Sequence, residues 1–386
     1  MSEDTNATFN DLYRRINAKD KQILSTEILA QGDLPVVDQG KSQIAGYTNN
    51  LAKRFTPPDG GVIVFGDHTR IVKFVDFDFA IGADGTQLIA ARGDNDTRFL
   101  AFLLSAQEVP NTGYNRHFKF LKEMTFSVPT LPEQQAIAAA LSDADGVVAG
   151  LERVIAKKRL IKQGAMQDLL TARRRLPGFS GEWELKRLGS LGVCLRGVSY
   201  DGSADLFETE TPDSIMLLRA NNVQNGEIVY SDVQHVRKER VKPVQCLKRG
   251  DVLVCMANGS RALVGKAGVF WDGDGSAYTF GAFMGCFRPV AGAAANGYVP
   301  FLFQSDEYRN QLNVILSGSA INNLAPSQIL GFSFKMPVDH GEQQAIAAVL
   351  SDMDAEIQTL ESRLAKARAV KEGMMQNLLT GRVRLV

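Results

Sequence analysis

Residues 133–176 and 342–385 are two copies of one segment. They align without a gap at an offset of 209, and 26 of the 44 aligned positions are identical. An internal repeat constrains the fold before any single residue does, because both copies are expected to adopt the same structure. The stretches before and between the copies match each other only loosely. The chain is therefore predicted to run in the order globular domain, repeat, globular domain, repeat.

Each copy is predicted to form one long helix with an apolar seam. Apolar side chains recur at alternating steps of four and three residues, which is the pattern of a coiled coil. In the first copy the seam consists of Ile137, Leu141, Val148, Leu151 and Ile155. In the second copy it consists of Ile346, Leu350, Met353, Ile357, Leu360 and Leu364. At about 1.5 Å per residue, roughly 38 helical residues would span about 57 Å.

The simplest way to bury both seams is to pack the helices on each other within the chain. The prediction is an antiparallel coiled coil with pseudo-two-fold symmetry, and the alternative is two separate helices that bind partners. Capping boxes are predicted at both helix starts, where Thr130 precedes Glu133 and Asp339 precedes Glu342 by three residues. Glycines at equivalent sites, 164 and 373, predict close helix packing, since each costs about 1 kcal/mol relative to Ala.

The predicted fold class is α+β, with two similar α/β domains separated by the long helices. The boundaries are 1–130 for the first domain, 131–177 for the first helix, 178–338 for the second domain and 339–386 for the second helix. Runs rich in Val, Ile and Phe between Gly and Asp turns predict short strands in both domains. Helices are predicted for FLAFLLSA and YVPFLFQSDEYRNQL, and strands for TFSVP and GFSFKMP before the long helices.

Composition limits the possible function classes. The 386 residues are 45% hydrophobic and 22% charged, as in a folded soluble protein, and no apolar run is long enough for a membrane span. With no signal peptide at the start, a cytoplasmic location is expected. The net charge of zero argues against a nonspecific nucleic-acid binder. The cysteines, none in a C-x-x-C pair, predict free thiols and no metal site: Cys194, Cys246, Cys255 and Cys286.

A search for catalytic motifs predicts a chain without catalysis of its own. GSRALVGKA at 259–267 is rejected as a phosphate-binding loop, because the glycine spacing is wrong and no Ser or Thr follows Lys266. Glu184-Leu185-Lys186 resembles a nuclease fragment, but it has no placed acidic partner. The four histidines are scattered, and no nucleophile–base arrangement is apparent.

Turns between the apolar strands carry residue types that read DNA bases. Arg can pair with guanine, and Asn or Gln with adenine, in the major groove. In the first domain the candidates are Lys41, Gln43, Tyr47, His68, Thr69, Arg70, Asn115, Arg116 and His117. In the second they are Arg219, Asn221, Asn222, Asn258, Ser260, Arg261, Ser319, Asn322 and Asn323. The alternative is that these residues simply make turns. Basic runs at 237–249 and 151–176 are either solvated faces or contacts to phosphates or a partner.

The repeat LPEQQAIAAALSDAD…LE…KK…IKQGAMQDLLT, followed by LPGFSGEWELKRLG, resembles the conserved regions of the DNA-specificity subunit of type I restriction-modification enzymes. GYTNN…VIVFGDHTRIVKFVDFDFAIGADG resembles one target-recognition domain of that family, and LLRANNVQNGEI…GSRALVGKAG…SGSAINNLAPSQI another. The first domain departs from the pattern, because it lacks an opening like that at Trp183 to Gly189.

The resemblance implies a sequence-specific, non-catalytic DNA-binding subunit. Each domain would read one half of a bipartite site in double-stranded DNA, and the helices would set the spacer and dock two methyltransferase subunits. Restriction subunits would join the full complex. S-adenosylmethionine, ATP and Mg are expected on those partners, and this chain is expected to bind no cofactor. Two other hypotheses remain: a coiled-coil scaffold that binds only proteins, and a standalone DNA-modifying or cleaving enzyme.

Overall fold

The computed structural model describes residues 4–82, 84–113, 115–271, 275–318 and 322–385. The chain divides into two compact units: unit 1 comprises 1–153 and 361–386, and unit 2 comprises 154–360. Each unit therefore combines one globular region with one half of each long helix. This division cuts across the four predicted segments, because the helix halves share a hydrophobic core with the globular regions.

Among its described residues, unit 1 contains three sheets. Two have four strands each, in the orders β2-β9-β6-β7 and β3-β8-β4-β5, and the third pairs β1 with β10. The strands are β1 Thr5–Thr8, β2 Tyr13–Ile16, β3 Gln22–Ile23, β4 Leu34–Val37, β5 Gly46–Thr48, β6 Val62–Gly66, β7 Val72–Val75, β8 Ala80–Gly82, β9 Thr86–Ala91 and β10 Thr125–Val128. The helices of its globular region are α1 Phe9–Leu12, α2 Thr97–Ser105 and α3 Phe118–Leu121.

Two helices of 39 residues each, α4 Leu131–Leu169 and α9 His340–Leu378, coincide with the sequence repeat. The other α-helices in the part of the chain that the structure describes all lie in unit 2 and are α5 Leu188–Leu191, α6 Tyr298–Leu302, α7 Asp306–Ser317 and α8 Pro326–Gly331. The strands of unit 2 are β11 Trp183–Arg187, β12 Gly192–Arg196, β13 Leu206–Phe207, β14 Ser214–Leu218, β15 Val223–Gln224, β16 Glu227–Ile228, β17 Gln234–Arg237, β18 Asp251–Cys255, β19 Ala267–Phe270, β20 Tyr278–Phe280, β21 Met284–Pro289 and β22 Ser333–Pro337.

Both globular regions use the same frame. The order β2-β9-β6-β7 in unit 1 corresponds to β12-β21-β18-β19, which form part of a six-stranded sheet in unit 2. The strand before each long helix pairs antiparallel with the first strand of its region, β10 with β1 and β22 with β11. The first domain lacks the opening sequence found at Trp183 to Gly189, but it has the same opening structure. Residues 5–16 form strand, short helix and strand, as residues 183–196 do, although the sequences have little in common.

One helix that was predicted in the second domain is present as two separate helices. YVPFLFQSDEYRNQL divides into α6 and α7, because the Ser305 hydroxyl accepts a hydrogen bond from the Tyr308 amide at 3.2 Å and caps the start of α7. FLAFLLSA lies in α2 except for its last residue, Ala106, and the Asp96 carboxylate caps the start of this helix by accepting from the Phe99 amide at 2.7 Å. The two strands predicted before the long helices are present as β10 and β22.

The long helices run antiparallel within each unit. In unit 1 the start of α4 lies beside the end of α9, with ion pairs between Lys371 and Asp145 and between Arg368 and Glu152. In unit 2 the end of α4 lies beside the start of α9, where Lys162 binds Asp354 at 2.5 Å. Lys162–Asp354 and Asp145–Lys371 are the same pair displaced by the repeat offset of 209, so the two helices make the same antiparallel contact within each unit, as predicted.

The predicted seam positions differ in burial. Six are buried, namely Ile137, Leu141, Ile155, Ile346, Leu350 and Ile357. Five are half-buried, namely Val148, Leu151, Met353, Leu360 and Leu364. The seam is deepest at the helix starts, because there Ile137 and Leu141, like Ile346 and Leu350, join the core of the neighbouring globular region.

Two local predictions about the helices are wrong. A Cβ added at Gly164 or Gly373 would meet no atom within 4 Å among the described residues outside the helix's own turn, so close packing does not explain these glycines. The carboxylates of Glu133 and Glu342 do not close capping boxes, because arginines bind them instead. At the start of α9 the cap oxygen belongs to Asp339, which accepts from the Gly341 amide at 2.8 Å.

All four cysteines are free thiols, as predicted. Within the described residues, no helix combines the length and apolar character that a membrane span requires. In the same part of the chain, no group of three or more His, Cys, Asp or Glu side chains is arranged to hold a metal ion.

Candidate nucleic-acid interface

A tight turn after β6 presents three of the predicted residues together: His68, Thr69 and Arg70. The Arg70 amide donates to the Gly66 carbonyl at 2.7 Å, and Arg70 has a positive φ of 63°. Gly66 is required here, since a Cβ at this position would lie 2.1 Å from the Thr69 hydroxyl oxygen. The turn therefore has a defined shape at the end of a buried strand, and its side chains lie at the surface or half-buried.

Gln39 connects this turn to two neighbouring loops. Its side-chain oxygen accepts from the His68 amide at 3.1 Å, and its side-chain nitrogen donates to the Asp84 carbonyl at 2.9 Å. Its backbone carbonyl accepts from the Thr69 hydroxyl at 2.6 Å. The sequence prediction missed Gln39, although its place in an Asp-Gln-Gly turn after the buried strand β4 was visible in the sequence.

The segment before α3 reaches the same turn. His68 Nδ1 lies 3.2 Å from the Asn115 carbonyl oxygen, and the Arg70 guanidinium donates to the Val109 carbonyl at 3.0 Å. Asn115 and Arg116 are exposed. Beside Thr69 and Arg70 lies an open crevice of about 580 Å³ whose lining also includes 107–111. The structure thus brings the predicted residues at 68–70 and 115–116 into one cluster.

Three other candidates of unit 1 lie around β5. Lys41 and Gln43 are exposed on the loop between β4 and β5, and the Gln43 side chain donates to the Phe74 carbonyl at 2.7 Å. Tyr47 is half-buried in β5 itself, where its amide donates to the Leu29 carbonyl at 2.8 Å. Lys41 and Gln43 therefore lie on a loop that Gln39 joins to the turn after β6, whereas Tyr47 belongs to the second sheet.

His117 is not available to DNA in this structure, and its prediction as a base-contacting residue is wrong. The side chain is fully buried, with Nδ1 2.8 Å from the Asp67 carbonyl oxygen. The carboxylate of Asp67 in turn accepts from the Phe118 amide at 2.7 Å. These contacts hold the turn after β6 against the start of α3, and the His117 ring is buried between them.

Unit 2 has an equivalent cluster after β18. The Asn258 side chain accepts from the Ser260 amide at 2.9 Å, and the Asn322 side chain donates to the Gly259 carbonyl at 3.2 Å. Asn323 forms an isolated bridge with Ala257. Ser260, Arg261 and Asn323 are exposed at this place, while Asn258 and Asn322 are half-buried. Ser319 lies outside the described residues.

A second group of unit 2 is organised by Asp232. Its carboxylate accepts from Arg219 at 3.2 Å and from Asn221 at 3.0 Å. Asn222 is fully buried, and its side chain donates to the Val229 and Ser231 carbonyls at 3.0 and 2.9 Å. The prediction that Asn222 contacts bases is therefore wrong, because both polar atoms of its side-chain amide are hydrogen-bonded to backbone groups of the loop.

The basic runs are partly used inside the protein. The buried carboxylate of Asp205 binds Arg240 at 2.9 Å and Arg237 at 3.8 Å. The Asp201 amide and these two arginines hold the pKa of Asp205 below its ordinary value. In the run on α4, Lys162 forms an ion pair with α9. Three of the basic side chains in the two runs are therefore paired with carboxylates inside the protein.

The two turn clusters occupy the same place in the shared frame. One follows β6 and the other follows β18, which are equivalent strands, and each meets the segment that precedes the last short helix, α3 or α8. The side chains presented there differ: His, Thr, Arg and Asn in unit 1, and Asn, Ser and Arg in unit 2. Guanidinium and amide groups on such surfaces offer the paired donors and acceptors that distinguish base edges.

Comparison with known proteins is consistent with this geometry. Residues 10–158 match the sequence model of the Type I restriction modification DNA specificity domain. The Type I restriction enzyme StySPI specificity subunit of Salmonella potsdam is 28% identical over 208 residues, which cover 52% of this chain and 42% of that protein. The MjaVIII specificity subunit of Methanocaldococcus jannaschii is 23% identical over 282 residues, covering 69% and 64%. The alignment thus spans less than half of the Salmonella subunit.

The fold has also been seen in a solved structure. The S subunit of a type-I restriction-modification system from M. genitalium superimposes with a TM-score of 0.67 and 14% sequence identity, over 98% of this chain and 96% of that one. The predicted α+β fold class and the resemblance to type I specificity subunits are confirmed.

Proposed function

We propose that this chain, a relative of the specificity subunits of type I restriction enzymes, recognises a split and asymmetric site in double-stranded DNA. The observation that supports the proposal most directly is the repeated frame with two different turn clusters. A shared strand order keeps the geometry of approach similar, and different side chains on the turns select different bases. The turn 66–70 would read one half-site, and 258–261 with 322–323 would read the other.

The charge distribution favours readout over nonspecific attraction. A chain with zero net charge lacks the overall positive field of a nonspecific binder. Several of its arginines are held by carboxylates, as Arg237 and Arg240 are by Asp205. Exposed Arg261 and Arg116 on the turn clusters would therefore contribute to selection by contacting base edges or nearby phosphates.

The two 39-residue helices would act as the spacer between half-sites. A rigid helix pair fixes a length, because each residue adds about 1.5 Å to a helix. Inserting four residues after Ala144 and four after Met353 is expected to lengthen the preferred DNA spacer. An unchanged spacer in the recognised sequence would contradict this part of the proposal.

The helices would also dock two copies of one methyltransferase subunit. Exposed residues at the helix starts are identical in both copies of the repeat, as Gln135 and Gln344 are, and likewise Asp143 and Asp352. Exposed positions have no packing reason to match, so a surface used twice by the same partner accounts for the identity. Those partners would carry S-adenosylmethionine and the methylation chemistry, and restriction subunits would add ATP, Mg and cleavage. This chain would remain non-catalytic in the cytoplasm.

Genome-wide adenine methylation tests the proposal. It would be measured by single-molecule sequencing in cells that hold this chain and its methyltransferase, and in cells that lack only this chain. A split motif present in the first and absent in the second is the expected result, and it yields both half-sites and the spacer. If no motif depends on the chain while the complex still assembles, the chain is a protein scaffold and the DNA-reading proposal fails.

A further inference from the structure

Lys73 is a buried lysine whose ammonium group faces a loop. It lies on β7 and is 6% exposed. Its nitrogen donates to the Asp38 carbonyl at 2.8 Å and to the Ser42 carbonyl at 2.5 Å, and an Asp38 carboxylate oxygen lies at 3.6 Å. An ammonium group has three donors; here it bonds to two carbonyl oxygens, and the Asp38 carboxylate lies at ion-pair distance. Both carbonyls and the carboxylate belong to the loop that runs from Asp38 to Gln43.

The fold itself does not need this lysine. Lys73 pairs with Val64, the third residue of β6, and its counterpart Gly268 pairs with Leu253, the third residue of β18. A side chain at Gly268 does not fit, since a Cβ would lie 2.7 Å from the Glu227 carbonyl oxygen. At this position the shared frame holds a buried lysine in unit 1, and it has no room for a side chain in unit 2. Lys73 must serve something that only unit 1 contains.

Burying an ammonium group is costly, and lysine is almost never fully buried unless it is paired. Burial lowers the pKa of Lys73, and Asp38 opposes that shift. The free-energy cost of burying a charged group is tolerated when that group stabilises a loop conformation that the chain would otherwise not keep. A six-residue loop with Gly40 at its centre has little apolar surface of its own to hold it.

The loop held by Lys73 is the one that carries the exposed Lys41 and Gln43. Gln39, two residues before Lys41, bonds the loop to the His68 amide and the Thr69 hydroxyl. The Gln43 side chain bonds to Phe74, the residue after Lys73, at 2.7 Å. Fixing Asp38 and Ser42 therefore holds the loop to the turn after β6 at one end and to β7 at the other.

We propose that Lys73 is a positioning residue that determines the sequence preference of the first half-site without contacting DNA, by holding the loop 38–43 beside the turn 66–70. The inference rests on the proposed DNA-reading function. Its physical basis is that bidentate base contacts need their donors fixed in place, so a mobile loop loses discrimination between bases before it loses attraction to phosphates.

The test uses the full chain with its methyltransferase partner, and methylation frequency at every near-cognate site in the genome as the readout. In Lys73→Met the discrimination against single mismatches in the first half-site is expected to fall about tenfold or more, a typical loss for one base contact. Discrimination in the second half-site is expected to stay within about twofold, because unit 2 is unchanged. The matched control is Lys53→Met, which removes a lysine of unit 1 that donates to the Asp20 carbonyl at 2.9 Å in another loop.

A double-mutant cycle distinguishes positioning from general damage to the fold. Lys41→Ala with Gln43→Ala changes only exposed side chains and is expected to relax the same base positions. Adding Lys73→Met to this pair is expected to relax them little further, since both changes act through one loop. If the exposed pair leaves the first half-site unchanged, the loop is not a reader, and the inference is overturned even if Lys73→Met fails to fold.

Two other results separate this inference from the proposed function. A sharp split motif in the unaltered protein together with an unchanged motif in Lys73→Met refutes the role of Lys73 and leaves the proposed function intact. No motif at all in the unaltered protein refutes the proposed function, and the inference falls with it.

Discussion

The guanidinium of Arg175 lies 2.5 Å from the buried carboxylate of Glu342, and the guanidinium of Arg384 lies 2.8 Å from the buried carboxylate of Glu133. The two pairs are related by the repeat offset of 209. Each joins the residues after the end of one long helix to the start of the other, within one unit. Both glutamates are nearly inaccessible, at 1% and 2% exposure, so these pairs explain why the repeat keeps a Glu at its start and an Arg near its end.

Replacing Glu342 with Gln is expected to destabilise unit 2, because the positive charge of Arg175 would lose its partner at a buried site. The hydrogen bonds that Arg175 donates to Glu342 raise the pKa of Arg175, so the arginine keeps its charge at any usable pH. Chemical unfolding followed by circular dichroism measures the loss. Glu356→Gln, which breaks the exposed pair with Lys158, is the control and is expected to cost about 1 kcal/mol or less. Equal losses in the two variants would contradict the buried-pair interpretation.

Leu350→Ala is expected to lower the free energy of unfolding by about 2–5 kcal/mol, since it leaves a cavity in the core of unit 2. Leu350 is fully buried where α9 meets that core. The matched control is Leu160→Ala, on the other long helix, where the side chain is 69% exposed and the change is expected to stay within about 0.5 kcal/mol. Denaturant midpoints of the two variants provide the comparison, and a similar cost at both sites would refute it.

Asn222→Ala is expected to cost about 1–3 kcal/mol of stability, because it removes a fully buried amide group that donates to the Val229 and Ser231 carbonyls. The neighbouring Asn221→Ala removes an exposed side chain and is expected to cost much less. Thermal unfolding distinguishes the two. A change in base preference by Asn222→Ala without any loss of stability would restore the original prediction that this residue reads DNA.

Arg261→Ala is expected to relax recognition of one half-site by about 1–3 kcal/mol, or roughly tenfold to a hundredfold, if the exposed guanidinium pairs with a base. Binding to cognate and mismatched duplexes would be measured at several salt concentrations. Arg309→Ala, which removes an exposed arginine of α7, serves as the control in the same unit. Uniform weakening on every sequence, with a shallower salt dependence, would show that Arg261 contacts phosphate.

Burial raises the pKa of the Cys194 thiol to about 11, from an ordinary value of 9.0. In the unfolded chain the thiol loses its proton above pH 9, whereas in the folded protein it stays protonated. Its contribution to stability is therefore complete below pH 9 and is lost as the pH rises towards 11, by at most about 3 kcal/mol. Cys194→Ala is expected to show a smaller loss of stability across that range than the unaltered protein. Parallel curves for the two proteins would contradict the shifted pKa.

Much of the architecture could be predicted from local sequence patterns. The steps of four and three in the repeat predicted α4 and α9, and runs of Val, Ile and Phe predicted β6 and β18. Turn composition identified 68–70 and 258–261, which the structure brings to equivalent places. The opening of the first domain escaped prediction, because Thr5–Thr8 becomes a strand only by pairing with Thr125–Val128, more than a hundred residues away.

The sequence by itself determined the periodicity of the helices, the order of the domains and the residue types of the turns, since these are properties of neighbouring residues. Only the tertiary structure decided which polar residues are accessible. His117 and Asn222 are residue types that can contact bases, yet both are buried. Lysine is usually a surface residue, yet Lys73 is buried. Burial and pairing depend on contacts between distant parts of the chain, as in Arg384 and Glu133, which are 251 residues apart.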